Sequence, residues 1–348
     1  MYNCAKLKDF SSQIMQAAGL PAEDSRLFAE SLVEADMRGV SSHGVTRLTA
    51  YSRRVNEKLV NTDGDISILS DGGALLKIDG NNNMGVVTAS KTMNLCIERA
   101  REYGICFAAV KGGGHFGAAS FYTQMAAAEN MIGICTSNGP VAVAPIGGKE
   151  PFLGTNPLSI AVPAGKYRPL VLDMATSIVA RGKITLAQKK GTQIPLGWGV
   201  DKDGKPTEDP NKVLDGGAVL PFGGAKGYAI SMIIDLLCSC LADGKNSRNV
   251  GGFYDFSGTT QDLGFFMGVI NVAKVMPAAE FDRKVDAAFD ELKAQPKGDG
   301  VSEIMVPGEI EFNNYRAAEK NGIELSPAVV AELVALSQKY NIPFDCKM

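Results

Sequence analysis

Residues 105–138 read ICFAAVKGGGHFGAASFYTQMAAAENMIGICTSN, and this stretch decides the fold. It begins with a short apolar run, Ile105–Val110, which is typical of a buried strand. A glycine-rich loop follows, then a helical pattern over Ala118–Asn130 and a second apolar run over Ile132–Thr136. A strand, a helix and a strand in this order indicate an α/β domain.

The alternation of strands and helices extends in both directions from this stretch. We predict further strands over Ala74–Ile78, Leu158–Val162, Pro169–Met174 and Phe265–Val272. The predicted helices span Ala5–Ala18, Pro21–Met37, Val45–Val55, Met84–Tyr103, Gly227–Ala242, Ala278–Ala294, Ile310–Asn321 and Pro327–Tyr340. Residues 195–210 are rich in Gly, Asp and Pro and predict a long loop. We expect residues 1–110 and 300–348 to form a helical lobe, and residues 111–299 to form the α/β domain.

The composition excludes several classes of protein. The 348 residues include 35 Lys and Arg against 38 Asp and Glu, whereas a nucleic-acid-binding protein carries a basic patch or stripe. The longest apolar run, Tyr228–Leu241, is shorter than the ~20 residues that cross a bilayer. The N-terminus lacks a signal-peptide pattern, and the 7 cysteines form no C-x-x-C pair. These features predict a cytoplasmic protein with no nucleic-acid or membrane partner, no disulfide framework and no structural metal.

The chain has two histidines, His43 and His115, and both lie in loops beside glycines. Histidine is the commonest general acid or base near neutral pH. Arg47 would share a face with His43 if a helix begins at Gly44. An arginine can pair with the carboxylate of a 2-oxo acid while a histidine protonates the developing alkoxide, and Ser42 could orient His43.

Other interpretations of these histidines stay open. They could be ordinary surface or capping residues. A serine nucleophile at Ser42 with His115 as its base is also conceivable, although no G-x-S-x-G motif is present. Neither histidine has a His or carboxylate partner at i+3 or i+4, so we expect no metal site.

The glycine loop matches one known pattern incompletely. Gly112, Gly114 and Gly117 have the spacing of the dinucleotide-binding fingerprint, after a strand and before a helix. That fingerprint also needs an acidic residue at the end of the next strand, which ends here at Cys135–Asn138 without one. We therefore interpret the loop as facing a ligand but not as a Rossmann motif; a plain glycine turn is the alternative.

Three more segments are candidates for ligand contact. They are the polar loop Gly147–Pro157, the end of a strand at Asp173–Ser177, and Gly223–Gly227 at the start of a helix. Backbone N–H groups at a helix start, together with Lys226, could hold phosphate.

Together these segments resemble the malate/L-lactate dehydrogenase family, which is distinct from the Rossmann-type enzymes of the same names. The resemblance covers nearly the whole chain. It rests on seven motifs: Arg38–Gly44 with Arg47, His115–Gly117, Gly154–Pro157, Asp173–Ser177, Ile194–Trp198, Lys226–Gly227 and Pro307–Glu309.

The resemblance implies a non-Rossmann NAD(P)-binding α/β domain, with the helical lobe serving substrate binding and dimerisation in a homodimer. Its implied catalytic group is Ser42, His43, Arg47 and His115, with Arg47, Tyr51 and Thr155 on the substrate. Either histidine could donate the proton; we favour His115. The implied dinucleotide contacts are His115, Phe116, Gly117, Ala118, Ala119, Ser137, Asp173, Met174, Ala175, Lys226, Gly227, Pro307, Gly308 and Glu309.

The expected function is therefore NAD(P)-dependent interconversion of a small (S)-2-hydroxy acid, such as malate or lactate, and its 2-oxo acid. Relatives act on ureidoglycolate, sulfolactate, diketo sugar acids or cyclic imines, and these substrates are the alternatives. The cyclic imine reductase has an aspartate shortly after the motif that matches Asp173–Ser177, where this chain has Arg181–Lys183. A hydrolase or a binding protein without chemistry would be a different class. A second anionic group on the substrate would need a second cation, for which Arg53, Arg54 and Lys149 are candidates.

Overall fold

Eleven α-helices and nine strands follow one another in the computed structural model, which describes residues 1–348. The helices are α1 Cys4–Ala18, α2 Ala22–Met37, α3 Leu48–Asn56, α4 Gly85–Tyr103, α5 Ser120–Ala128, α6 Arg181–Lys190, α7 Pro210–Leu214, α8 Ala225–Leu236, α9 Ala278–Lys293, α10 Glu309–Asn321 and α11 Pro327–Tyr340. The strands are β1 Ser67–Asp71, β2 Leu75–Asp79, β3 Ile105–Gly113, β4 Met131–Ser137, β5 Leu158–Val162, β6 Leu170–Met174, β7 Gly199–Val200, β8 Ala218–Val219 and β9 Leu263–Asn271. No helix is both long enough and apolar enough to span a membrane.

Seven of the strands form one sheet in the order β1-β2-β3-β9-β4-β5-β6. Only the pair β2–β3 is parallel, and the other five pairs are antiparallel. Strand β9 comes last in the chain but lies between β3 and β4, where Ala108 and Ile134 flank Met267 and Gly268. The predicted α/β class is confirmed, and the insertion of β9 brings the loop before it next to the glycine loop after β3.

Helix α4 takes part in the two largest hydrophobic clusters of the interior, which contain 25 and 21 buried residues. Its Val86 and Val87 pack with the helices from the two ends of the chain, which together form the predicted helical lobe. Further along α4, Met93 and Cys96 pack against the sheet. The domain boundaries near residues 110 and 300 stay a prediction.

Several elements have no counterpart in the sequence prediction, and their burial explains why. Helix α6 is rich in Lys and Gln, and Ile184 is its only fully buried residue, so it shows no apolar stripe. All five residues of β1 are exposed, and they therefore show no alternation of apolar and polar residues. The predicted loop over residues 195–210 contains the two-residue strand β7.

Candidate active site

The segment Ser41–Arg47 forms two successive 3-10 turns rather than the start of α3. Gly44 separates the turns with extended backbone angles of φ −87° and ψ −156°. The expectation that His43 and Arg47 share one helix face is therefore wrong, although the two side chains remain neighbours. The cause is Asp36 on α2, whose carboxylate accepts a hydrogen bond from Val45 N at 2.7 Å. A Cβ atom on residue 44 would lie 2.0 Å from Asp36 Oδ1, so only glycine fits there.

The fold brings the two histidines face to face. His43 comes from this turn, and His115 from the loop after β3. Their ring centroids lie 5.6 Å apart, and the ring planes differ by 10°. The Ser42 hydroxyl lies 2.9 Å from His43 Nδ1. Two residues separated by 72 positions in sequence therefore form one pair in the fold.

Arg47 completes this group on one side. Its Nε donates to the Ser42 carbonyl at 2.7 Å, and its Nη1 hydrogen-bonds to the Tyr254 hydroxyl. The guanidinium also lies over the rings of Phe253 and Tyr254, at 5.5 and 5.3 Å from their centroids. Contacts of Nε and Nη1 thus hold the side chain in place, while Nη2 has no protein partner and can bind an anion.

Tyr51 on α3 lies beneath His115. Its ring is 1% exposed and packs edge-on against Phe28 and Phe253, with centroids 4.7 and 4.8 Å away. Its hydroxyl hydrogen-bonds to His115 Nδ1 and lies 3.2 Å from the His115 carbonyl oxygen. Tyr51 therefore lies next to His115 and is not exposed to the solvent from which a substrate would enter.

Both histidines are neutral at pH 7 in this environment. Burial lowers the pKa of His43 to about 4, and the charge on Arg47 adds to the shift. Burial lowers the pKa of His115 well below its ordinary value, with smaller effects of the same sign from His43 and Arg47. The site thus presents uncharged imidazoles beside a fixed cation.

Two charged residues lie buried behind this group. Asp36 is 6% exposed, and its burial raises the pKa to about 7. Arg54 is 1% exposed, and its Nη1 donates to the carbonyls of Phe253 and Asp255 at 3.2 and 3.1 Å. Arg54 Nε and Nη2 have no hydrogen-bond partner. Asp36 fixes the turn that carries His43, and Arg54 fixes the loop that carries Tyr254.

The candidate cofactor residues gather around the end of β6. The Asp173 carboxylate accepts from Ser120 N at 2.9 Å, which ties β6 to the start of α5 and so to the His115 loop. Thr176 N donates to the Thr155 carbonyl at 2.8 Å, and Phe222 N donates to the Thr176 carbonyl at 3.1 Å. Three of the loops predicted to contact a ligand are therefore joined to one another by backbone hydrogen bonds.

The backbone faces open space at three glycines of these loops. Gly117, Gly223 and Gly224 have φ values of +77°, +56° and +64°, and a Cβ on any of them would meet no atom within 4 Å. No side chain caps the start of α8, and Lys226 in its first turn is exposed. Uncapped N–H groups beside a lysine fit the phosphates of NAD(P).

Other predicted cofactor residues are already engaged within the protein. The Ser137 hydroxyl is buried and lies 2.7 and 3.1 Å from the carbonyls of Asn138 and Gly264. Glu309 forms an ion pair with Lys293 at 2.8 Å. The Pro307 carbonyl accepts from Val171 N at 3.0 Å, which places it beside β6. The remaining predicted contacts, His115, Phe116, Ala118, Ala119, Met174, Ala175, Gly227 and Gly308, lie on these same segments.

The candidates for a second cation are not equivalent. Arg54 is buried as described, and Arg53 is paired with Glu57 at 2.6 Å and lies over the ring of Phe256. Lys149 is exposed on the loop before β5. No three His, Cys, Asp or Glu side chains lie close enough together to hold a metal ion.

Sequence reasoning missed four residues of this site, Asp36, Phe253, Tyr254 and Gln261, and considered Arg54 only as a candidate second cation for the substrate. Gln261 Oε1 accepts from His115 N at 3.0 Å and so fixes the backbone of the histidine. The aromatic pair follows two glycines, Gly251 and Gly252, and that combination in a loop was the one signal available. The others lie within helical patterns, or in a polar loop, where nothing distinguishes them from surface residues.

Comparison with known proteins confirms the family that the motifs resemble. Residues 2–334 match the malate/L-lactate dehydrogenase family. The chain is 38% identical over 332 residues to the malate/(S)-sulfolactate dehydrogenase of Methanothermus fervidus, and the match covers 95% of each protein. The structure is similar to that of the sulfolactate dehydrogenase of Methanocaldococcus jannaschii, with a TM-score of 0.92, 37% identity, and 98% and 97% of the two chains covered.

Two further relatives carry a cofactor in their names. The ureidoglycolate dehydrogenase (NAD(+)) of Escherichia coli strain K12 is 33% identical over 330 residues, which cover 95% of this chain and 93% of the relative. The (2R)-3-sulfolactate dehydrogenase (NADP(+)) of Chromohalobacter salexigens is 31% identical over 321 residues, with 92% and 93% covered. The chain therefore belongs to the malate/L-lactate dehydrogenase family and is an enzyme of the dehydrogenase class.

Proposed function

We propose that this enzyme interconverts a small (S)-2-hydroxy acid of the malate or lactate type and its 2-oxo acid, with NAD or NADP as cofactor. The observation that carries the proposal is the group formed by two parallel neutral imidazoles and one arginine with a free edge. A 2-oxo acid offers a carboxylate to the arginine and a carbonyl oxygen to a histidine at the same time.

Arg47 binds the substrate carboxylate in this mechanism. Its Nε and one Nη1 position are engaged with Ser42 and Tyr254, so the carboxylate approaches the Nη2 edge. Charge-assisted bonds of this kind give orientation as well as affinity. Tyr254 is 62% exposed, and its hydroxyl, which accepts from Arg47 Nη1, still has its own proton to donate to a bound substrate.

A histidine moves the proton. In the reductive direction the carbonyl oxygen gains charge as hydride reaches the neighbouring carbon, and an imidazolium protonates it. Burial holds the pKa values of both histidines down, and the charge on Arg47 adds to the shift. A bound carboxylate offsets the contribution of Arg47, so substrate binding favours uptake of the proton that is then delivered. We favour His115 as the donor, and Ser42 orients His43 beside it.

The cofactor, when bound, supplies the hydride for reduction or accepts it in oxidation. The start of α8 with Lys226, and Gly117 before α5, would hold the dinucleotide phosphates. The helical lobe supplies the substrate side through Arg47, and the sheet supplies the cofactor side. We retain the domain division at residues 110 and 300 as part of this proposal.

A homodimer is supported by the surface of α8. Beyond Lys226 this helix is mostly apolar, and Ile233 and Leu236 on it are 58% and 43% exposed in the single chain, while Leu241 just beyond it is 48% exposed. A helix that is apolar all round is normally covered on all sides. A second copy would cover it close to the cofactor loops.

The seven free cysteines are consistent with the reducing cytoplasm as the location.

The test is oxidation of NADH and of NADPH against pyruvate, oxaloacetate, 3-sulfopyruvate, diketogulonate and piperideine-2-carboxylate. Turnover of a 2-oxo acid with one cofactor supports the proposal and separates the malate or lactate type from its alternatives. Ureidoglycolate is assayed in the oxidative direction. If no substrate turns over and neither cofactor binds in a fluorescence titration, the proposal is overturned.

A further inference from the structure

The side chain of Gln261 contacts the loop that carries His115. Gln261 lies just before β9 and is 2% exposed, and its Oε1 accepts from His115 N at 3.0 Å. Of the N–H groups of residues 114–119, only this one donates to another segment of the chain, and that of Gly117 points at the His115 ring. The Gln261 side chain is therefore the one acceptor that holds an N–H of this loop from outside it.

The backbone of Gln261 contacts the other side of the candidate site. Its carbonyl accepts from Gly251 N at 3.0 Å, and a Cβ on residue 251 would lie 2.6 Å from the Thr260 carbonyl oxygen. The segment that begins at Gly251 carries Tyr254, whose hydroxyl hydrogen-bonds to Arg47. One residue thus joins the segment that contacts the carboxylate-binding arginine to the loop of the proposed proton donor.

The Gln261 amide makes this contact with only one of its two polar atoms. Its Nε2 is buried and has no hydrogen-bond partner. A buried donor without a partner costs stability and calls for a specific explanation. The bond from His115 N to Oε1 supplies one, because it is the only hydrogen bond that this side chain makes.

We propose that Gln261 is a positioning residue, which sets the place of the His115 imidazole relative to the carboxylate bound at Arg47. A 2-oxo acid held by Arg47 presents its carbonyl oxygen at a fixed distance from the arginine. The imidazole must lie within hydrogen-bond reach of that oxygen, and a displacement of the loop would take it out of reach. This inference rests on the proposed function, in which His115 transfers the proton and Arg47 binds the carboxylate.

Two substitutions separate the hydrogen bond from the bulk of the Gln261 side chain. Gln261→Met keeps the length of the side chain and carries a methyl group in place of the amide oxygen. Gln261→Glu keeps an oxygen for His115 N in either protonation state, and the Nε2 group that it removes has no partner.

Asn271→Leu is the matched control, at the opposite end of β9. Asn271 is 7% exposed, and its amide bonds to the Ala100 carbonyl and to Ala273 N at 3.1 and 3.0 Å without contacting His115. This variant loses buried amide hydrogen bonds from the same strand. It should therefore lose stability and leave the His115 loop unchanged.

Hydrogen exchange of one amide reports the bond directly. In protein labelled with ¹⁵N-histidine only two backbone amides carry the label, and His43→Gln identifies that of His115. The amide of His43 donates to the Val40 carbonyl at 2.9 Å and is the internal reference. Exchange at His115 should be about 10-fold faster in Gln261→Met and unchanged in Gln261→Glu and Asn271→Leu. Equal exchange at His115 in the wild type and Gln261→Met would overturn the inference.

Kinetics supply the second readout. All variants at residue 261 keep its backbone carbonyl, so the segment of Tyr254 and Arg47 should stay in place. Gln261→Met should therefore lower kcat for 2-oxo acid reduction about 10–100-fold with little change in KM, and Gln261→Glu should restore most of it. Equal losses in Gln261→Met and Asn271→Leu, or no rescue by Gln261→Glu, would overturn the inference. The exchange data require no turnover, so they separate failure of this inference from failure of the proposed function.

Discussion

The interior of the sheet and the layer behind the candidate active site, formed by Asp36 and Arg54, are both buried. They are built from opposite kinds of residue. Leu76, Ile78 and Met267 in the sheet are apolar and at most 1% exposed. Asp36 and Arg54 at the site are buried to a similar degree but carry charge. Burying charge without a full set of partners costs stability, whereas burying apolar side chains supplies it. The apolar interior of the sheet thus stabilises the fold, whereas Asp36 and Arg54 hold the backbone segments that carry His43 and Tyr254.

The largest expected effect comes from removing Arg47, the cation that we propose binds the substrate. Arg47→Leu should lower kcat/KM for the 2-oxo acid by about 10²–10⁴-fold, because two charge-assisted hydrogen bonds are lost. Steady-state kinetics on the variant measure this. Arg53→Leu is the control, since Arg53 is half exposed and its ion pair with Glu57 adds little. If both variants keep wild-type kcat/KM, Arg47 does not bind the substrate.

One variant in the sheet and one behind the active site test this difference between apolar and charged burial. Leu76→Ala leaves a cavity in the sheet and should lower the free energy of unfolding by about 2–5 kcal/mol, with unchanged activity per folded molecule. Arg54→Met keeps the volume but removes a guanidinium with two unpartnered nitrogens. Its unfolding free energy should stay equal or rise.

The activity of Arg54→Met should fall about 10-fold, since the loop that carries Phe253 loses two hydrogen bonds. Denaturant unfolding and kinetics on the same samples measure both quantities. A large drop in the unfolding free energy of Arg54→Met with normal activity would contradict the difference drawn between the sheet interior and the buried charges behind the active site.

A smaller effect concerns pH. The pKa of Asp36 is raised to about 7 in the folded protein, above its value in the unfolded chain. The folded state therefore holds the proton more tightly, and stability falls as pH rises from about 4 to 7. Asp36→Asn cannot ionise, so between pH 5 and 8 it should gain about 2–3 kcal/mol relative to the wild type.

Unfolding of the two proteins over this pH range measures the difference. Parallel curves for wild type and Asp36→Asn would mean that the carboxyl titrates normally. The Asn side chain still has an oxygen for Val45 N, so loss of the turn itself is not expected to obscure the result.

Most of the fold could be predicted because its elements bury regular apolar patterns. Strand β5 ends at the predicted residues, and helices α4 and α11 lie within one residue of the prediction. The place of β9 could not be predicted, because no local pattern specifies which strands it joins. Helix α6 was missed because it buries little.

Some residues of the candidate site could likewise be predicted from the sequence, and others could not. His43, His115 and Arg47 could be found because histidine is rare in this chain and lies beside glycines. Their proximity could not be derived, since it depends on the helical lobe packing against the loop after β3. Asp36 was not identified, and Arg54 was considered only as a second cation for the substrate, because their burial is a property of the folded chain.

In the proposed mechanism, His115 moves a proton in concert with hydride transfer, with His43 beside it. The most direct measurement compares kcat for 2-oxo acid reduction in wild type, His115→Gln and His43→Gln at saturating cofactor. We expect a loss of about 10²–10⁴-fold for His115→Gln and a smaller loss for His43→Gln. Losses of only a few-fold in both variants would contradict it, and the reverse order would assign the proton to His43.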